Sequence, residues 1–202
     1  MPTTPTVPLS PTTLLPALHP LDWSRRRSLS DDGFSDSLAY IALSHELCTG
    51  FTSAGRDVSY RGLGELDLSA HRAWDVAADN LVERTRTRRG VRFLTRPAPL
   101  VLGDGAPGLQ VATPGHQVSA WLAHPHTFTI LDTHLTDLVG GEVGYLAPTP
   151  SMLLALPIAD VDTWVDVAAR LVPGPALLEV AVRWAHGFPT AVSRAALMTA
   201  SA

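Results

Sequence analysis

Lysine is absent from the 202 residues, and all fifteen basic side chains are arginine. That excludes Schiff-base chemistry on a lysine, a lysine general base and the lysine of a phosphate-binding loop. Abundant Arg, Ala, Gly and Pro beside scarce Lys, Ile and Asn fit the codon bias of a GC-rich bacterial genome. Cysteine occurs once, as Cys48. No disulfide can close within the chain, and no cysteine-rich zinc site can form. Cys48 follows Leu47 in an apolar-rich stretch, so it reads as a buried, inert thiol. No run of about 18 apolar residues exists to span a membrane. The first twenty residues lack an early basic region and are broken by prolines, which makes a poor signal peptide. A cytoplasmic protein is expected. The net charge of -4 is too mild to draw the protein onto nucleic acid or an anionic membrane.

What is present is globular on average. With 46% hydrophobic and 17% charged residues, the chain can bury one real core. Residues 1–33 read as a tail and linker. The Pro/Thr-rich start to about residue 20 is expected to form no regular structure, because proline fixes φ and removes an amide donor. Leu14, Leu15 and Trp23 could still dock on the body. The polar stretch 24–33 carries Arg25, Arg26 and Arg27 beside Asp31 and Asp32, which reads as solvated charge.

Residues 34–202 read as a single α+β domain with a mixed, partly antiparallel sheet flanked by helices. Phe34, Leu38, Ile41, Ala42 and Leu47 favour a helix, with a buried strand pair as the alternative. Val58 and Tyr60 alternate as in a short strand. Gly62 and Gly64 lack the third glycine of a dinucleotide fingerprint and read as a turn. A helix should begin after Ser69, which can cap it. Trp74, Ala77, Ala78, Leu81 and Val82 form its buried face, Arg84 to Arg89 gather at its negative end, and Gly90 closes it. Two strands follow around the glycine-rich turn 103–108, then a short helix near residues 116–124. Further strands are expected at 142–147, 151–156 and 176–184. A helix after Asp160 buries Val161, Trp164, Val165, Ala168 and Leu171, and a closing helix is expected over 190–198.

The stretch "HPHTFTILDTHLTD", residues 124–137, looks most like chemistry. Pro125 suits the first helical position and Gly140 the left-handed cap. Phe128, Leu131, Leu135 and Leu138 then form a core stripe. At about 100° and 1.5 Å per residue, His126 and Asp137 share a face but lie roughly 16 Å apart, and Asp132 points elsewhere. Only His134 and Asp137 can meet. Chelation from one helix needs ligands at i and i+4, a pattern absent here. His124 reads as a cap, His126 as a first-turn residue and His134 as a partner of Asp137. No tightly held metal and no cofactor is expected. Other constellations also fail. There is no Gly-x-Ser-x-Gly elbow, and Ser44-His45-Glu46 is mere adjacency.

The order "VSYRGLGELDLS", "AWDVAADNL" and "LDTHLTDLVGGEVGYLAPTPSMLLALPIADVD" within residues 57–171 resembles the uncharacterised bacterial DUF1444 family, which includes the YtpQ-like proteins. Ala77, Asn80 and Leu81, the helix before Gly140-Gly141 and two strands meeting at Pro148 carry the resemblance. Where that family has an Arg-Asp pair after the proline, this chain has Pro150 and Ser151. The resemblance implies a cytoplasmic α+β protein and no defined activity.

Three functions stay open on the residues alone. The first is a non-enzymatic accessory or immunity-type protein acting through an acidic protein partner, since Trp and Arg are enriched at binding hot spots. Its candidate surface is Arg84, Arg86, Arg88, Arg89 and Arg92, with Arg96 beside them on the expected strand. The second is a small metal-dependent hydrolase using His124 and His126. The third is an anion or nucleic-acid binder through Arg84–Arg96. Sequence-specific nucleic-acid recognition is not expected, because Phe93 alone among aromatics interrupts the cluster.

Overall fold

The computed structural model describes residues 8–25 and 36–192. The solvated charge expected at Arg26, Arg27, Asp31 and Asp32 and the closing helix beyond residue 192 lie outside the described residues. The α+β architecture is present, and every strand pairing among the described residues is antiparallel.

The first layer is a four-stranded sheet. Its strands are β1 (Leu14–Pro20), β2 (Tyr40–Ala42), β3 (Leu47–Ser53) and β4 (Arg56–Asp57). β3 lies between β1 and β2 and also pairs β4. β1 corrects the expected irregular tail. Its prolines are tolerated because β1 pairs with β3 alone, so the missing N–H groups of Pro16 and Pro20 cost no second ladder. Leu14, Ala17 and Leu18 are fully buried, which offsets the lost donors. The segment leading into β1 is also held. Ser10 and Thr13 form a reciprocal cap, and Asn80 Nδ2 donates to the carbonyls of Pro11 and Leu14.

Over the described residues 36–50 the favoured helix is not formed; the strand-pair alternative is the observed one. Residues 47–51 of β3 are all buried. Both faces are covered, so the period-two alternation that would have marked a strand is missing. Between β2 and β3, Ser44 Oγ accepts from the amides of Glu46 and Leu47 and sets the turn.

Helix α1 (Tyr60–Glu65) replaces the expected strand end and turn at Gly62 and Gly64; Ser59 caps it by accepting from Gly62 N. Helix α2 (Ala70–Thr85) begins as expected, with Ser69 accepting from Arg72 N. Ala73, Ala77, Ala78, Leu81 and Val82 are buried, and Trp74 is half-buried. The helix ends five residues before Gly90. Thr85 Oγ1 bonds back to the carbonyls of Leu81 and Val82, and Arg86 turns extended. Arg86–Thr87 (β5) and Gly90–Val91 (β6) then form a two-stranded ribbon.

The second layer is a six-stranded sheet in the order β12-β11-β9-β10-β8-β7. Its strands are β7 (Leu94–Pro97), β8 (Leu109–Ala112), β9 (Val143–Thr149), β10 (Met152–Pro157), β11 (Val182–Ala185) and β12 (Phe188–Ala191). A short helix, α3 (Pro99–Leu102), takes the place of the end of the first of the two expected strands, just ahead of the glycine-rich turn 103–108. β9 and β10 fall where the sequence indicates. The expected strand over 176–184 shrinks to its last third, after the prolines at 173 and 175. Where a closing helix was expected from residue 190, β12 continues to Ala191.

The sheet is covered on both faces. A 3-10 turn (Val118–Leu122) and helix α4 (Pro125–Val139) close one side over Tyr145, Ala147 and Leu153. Helix α5 (Val161–Ala169) and α3 close the other over Leu146, Leu154 and Leu156. α4 starts at Pro125 and ends on Gly140, which takes the left-handed φ of 82°. Phe128, Leu131 and Leu135 are buried as expected, but Leu138 is 53% exposed, because the core face closes one turn earlier. In α5, Val161 and Ala168 are buried, Trp164 and Val165 are partly covered, and Leu171 lies outside the helix and exposed. No helix among the described residues is long and apolar enough to cross a membrane.

Candidate functional site

The histidine stretch is built into a helix start. His124 is the N-cap of α4, and its Nδ1 accepts from His126 N at 3.0 Å. Its Nε2 lies 3.5 Å from Asp75 Oδ1 on α2, and its ring meets Trp74 edge-on at 4.5 Å between centroids. Trp74 Nε1 in turn donates to Ala123 O at 2.7 Å. Burial pulls the His124 pKa below its usual value, against the opposing pull of Asp75. Both ring nitrogens are engaged, so His124 fixes the entry of α4 and the distance to α2. It offers no free lone pair for a metal or a substrate proton. Among the described residues no group of three or more His, Cys, Asp or Glu side chains converges as a metal site does.

Asp132 and His134 on this helix also pack against structural neighbours. Asp132, expected to point away from the histidines, accepts from Tyr145 Oη at 2.8 Å. Burial raises the pKa of both groups. His134, expected to pair with Asp137, instead lies against Phe93, 5.2 Å between centroids. Cys48 is fully buried with its thiol toward Pro20 O, and burial pushes its pKa up to about 12, so it is an inert thiol at neutral pH.

The arginine segment is split by the fold. Arg84 Nη2 donates to Thr12 O at 2.9 Å and ties α2 to the chain ahead of β1. Arg86 pairs with Glu83 at 3.4 Å. Arg96 Nε donates to Gln110 Oε1 across the β7–β8 ladder at 2.6 Å. Arg92 and Arg96 do not lie on one strand as expected, because residues 92 and 93 are irregular and β7 starts at Leu94. Arg88, Arg89 and Arg92 remain exposed without an ion pair among the described residues. Arg88 and Arg89 form the turn of the β5–β6 ribbon, and Arg92 follows its second strand. Phe93 is partly buried, edge-on to Trp121 at 4.7 Å, so it is not free to stack on a base.

A larger feature escaped the sequence reading. A cleft of about 810 Å³ opens between the end of β1 and the turn before β3 on one wall, and the β9–β10 turn and residues 172–180 on the other. The first wall holds His19, Trp23 and Glu46; the second holds Pro148, Pro150 and Glu179. Trp23 lies flat on the His19 ring, 3.8 Å between centroids and 5° between planes. Gly50 makes room for this stack, since a Cβ there would sit 2.7 Å from the Trp23 ring. The prolines around it were the one sequence signal, and proline alone does not distinguish a wall from a loop. No protein-family model, no curated protein and no solved structure matches this chain.

Proposed function

We propose that this protein is a non-enzymatic accessory or immunity-type factor of the cytoplasm that docks an acidic surface of a protein partner on its arginine ribbon. The observation that carries the reading is the β5–β6 turn. Arg88 and Arg89 are exposed there with no ion pair among the described residues, and Arg92 is exposed just after the ribbon. Unpaired guanidinium groups are weakly hydrated, planar and suited to bidentate contact with carboxylates. Two of the original cluster, Arg84 and Arg96, are already spent on the fold, and Arg86 has Glu83. The binding surface is therefore narrower than the sequence cluster.

Sequence-specific nucleic-acid binding is disfavoured by the covered Phe93, and a hydrolase using His124 by its two engaged nitrogens. The resemblance to the DUF1444 family is compatible with this reading and adds no chemistry to it. The test is co-purification from the native host with the wild-type chain and with Arg88→Glu/Arg89→Glu. Binding that weakens as salt rises and disappears on charge reversal is expected, because exposed charges are screened within about 8 Å at physiological ionic strength. If every partner survives the double reversal, the ribbon is simply a solvated turn.

A further inference from the structure

The cleft is the electrostatic opposite of the ribbon and independent of it. Among the described residues no arginine lines it. Glu46 stands exposed on one wall and Glu179 on the other. His19 adds no positive charge at neutral pH, because burial pushes its pKa down to about 4. Asp22 and His45 also line the first wall, and the rest of the described lining is mostly apolar, with Trp23 partly exposed and Leu47, Pro148 and Leu177 contributing.

The walls are set in place by backbone hydrogen bonds. Leu21 N donates to Glu46 O at 2.7 Å, joining the two segments of the first wall. Leu177 N and Leu178 N donate to the carbonyls of Pro148 and Ala147 at 3.0 Å each, fixing the second wall on the end of β9. The His19–Trp23 stack over Gly50 holds the indole in one orientation. A cavity of this size, already shaped and mostly apolar with a few polar groups, is what a small-molecule site looks like, at roughly 300–1,000 Å³.

We propose that this cleft binds a small amphipathic organic cation, an amine or amidine on a compact aromatic or apolar body. The body lies against Trp23 and the prolines, and the cationic head turns toward Glu46 and Glu179. Aromatic faces attract cations as well as apolar groups, so Trp23 favours both halves of such a ligand. An anion of the same shape meets the like charges of Glu46 and Glu179.

The experiment is calorimetric titration of the full chain with benzamidine and phenethylamine, against benzamide and phenylacetate as neutral and anionic isosteres. The Trp23 indole N–H resonance, assigned through Trp23→Phe, reports where the ligand sits. Saturable binding of both cations is expected, weakening with salt and shifting the Trp23 signal. Glu46→Gln/Glu179→Gln should weaken it about fivefold, the scale of exposed charge pairs. Both carboxylates are exposed, so an unchanged thermal midpoint is expected for that variant. The isostere series on the wild-type chain stands even if the midpoint moves. Three results would each overturn the proposal. They are no saturation at about 10 mM probe, where a Kd near 1 mM gives almost full occupancy; equal affinity for phenylacetate; or an unmoved Trp23 resonance at saturation.

Discussion

Removing residues 1–20 is the sharpest test of how the first sheet is held together. A chain starting at Leu21 loses β1, and with it Leu14 and Leu18, which are 0% and 1% exposed. Burying one leucine side chain is worth about 1.5–3 kcal/mol, so the two together supply roughly 3–6 kcal/mol. The loss does not stop there. β3 loses its partner along seven residues, from Leu47 to Ser53. Ala73, Ala77 and Phe51, which pack in one cluster with Leu14, become open to water. The Asn80 and Arg84 side chains lose their carbonyl acceptors on Pro11, Thr12 and Leu14. A typical domain is stable by about 5–15 kcal/mol, so this deletion should abolish or nearly abolish cooperative folding. The assay is urea unfolding followed by far-UV circular dichroism, for the full chain, the chain starting at Leu21 and full-length Leu18→Ala. The point variant should lose about 2–5 kcal/mol and still fold. If the truncated chain unfolds cooperatively within about 2 kcal/mol of the full one, β1 is an ornament and the energetic argument is wrong.

Gly50→Val should displace Trp23, since even a Cβ would lie 2.7 Å from its ring; a loss of about 1–3 kcal/mol and faster acrylamide quenching are expected, and unchanged quenching would contradict the geometry. His19 titrates near 4 when folded and near 6.5 when unfolded, so the unfolded chain binds more protons between those values. The contribution of His19 is therefore complete above about pH 6.5 and falls by on the order of 2 kcal/mol towards pH 4, and His19→Gln should flatten this slope in urea midpoints measured across the window. His124→Ala removes a cap and should cost about 1–2 kcal/mol, whereas His124→Asn, which keeps a side-chain acceptor, should recover most of it in thermal melts. Elemental mass spectrometry of dialysed protein should find no stoichiometric zinc; one zinc per chain, lost in His124→Ala/His126→Ala, would reverse the reading of that helix.

The elements legible in the sequence were those that carry their own punctuation. Ser69, Pro125 and Gly140 mark helix ends by local chemistry, and β9 and β10 announce themselves as apolar runs around a Pro-Ser turn. β1 was hidden because proline reads as a breaker unless the strand is known to be an edge, which is a tertiary fact. β2 and β3 were hidden because a strand covered on both faces loses its alternation, and Leu38, Ile41 and Ala42 happen to fall at helical spacing. The arginine segment was visible as composition but not as geometry. Its members divide between holding Thr12, Glu83 and Gln110 and facing solvent, and only side-chain reach decides which. The cleft was illegible for a simpler reason. Residues 19–23, 45–47, 148–150 and 172–180 come together across most of the chain, and no local pattern encodes that meeting.

The β9–β10 hairpin also orders events in time. Like β11–β12 it is a hairpin closed by two residues, here Pro150 and Ser151, but it alone of the two occupies the centre of the large sheet, with most of its residues buried. β1, in contrast, waits for β3, with Leu18 meeting Thr49 across thirty-one positions of chain. Closing a longer loop before any reward arrives slows pairing. The second half of the molecule is thus expected to nucleate first and offer its finished face to the first half. Leu154→Ala should slow folding, whereas Leu14→Ala should chiefly hasten unfolding; the opposite pattern in a chevron analysis would place the nucleus in the N-terminal sheet.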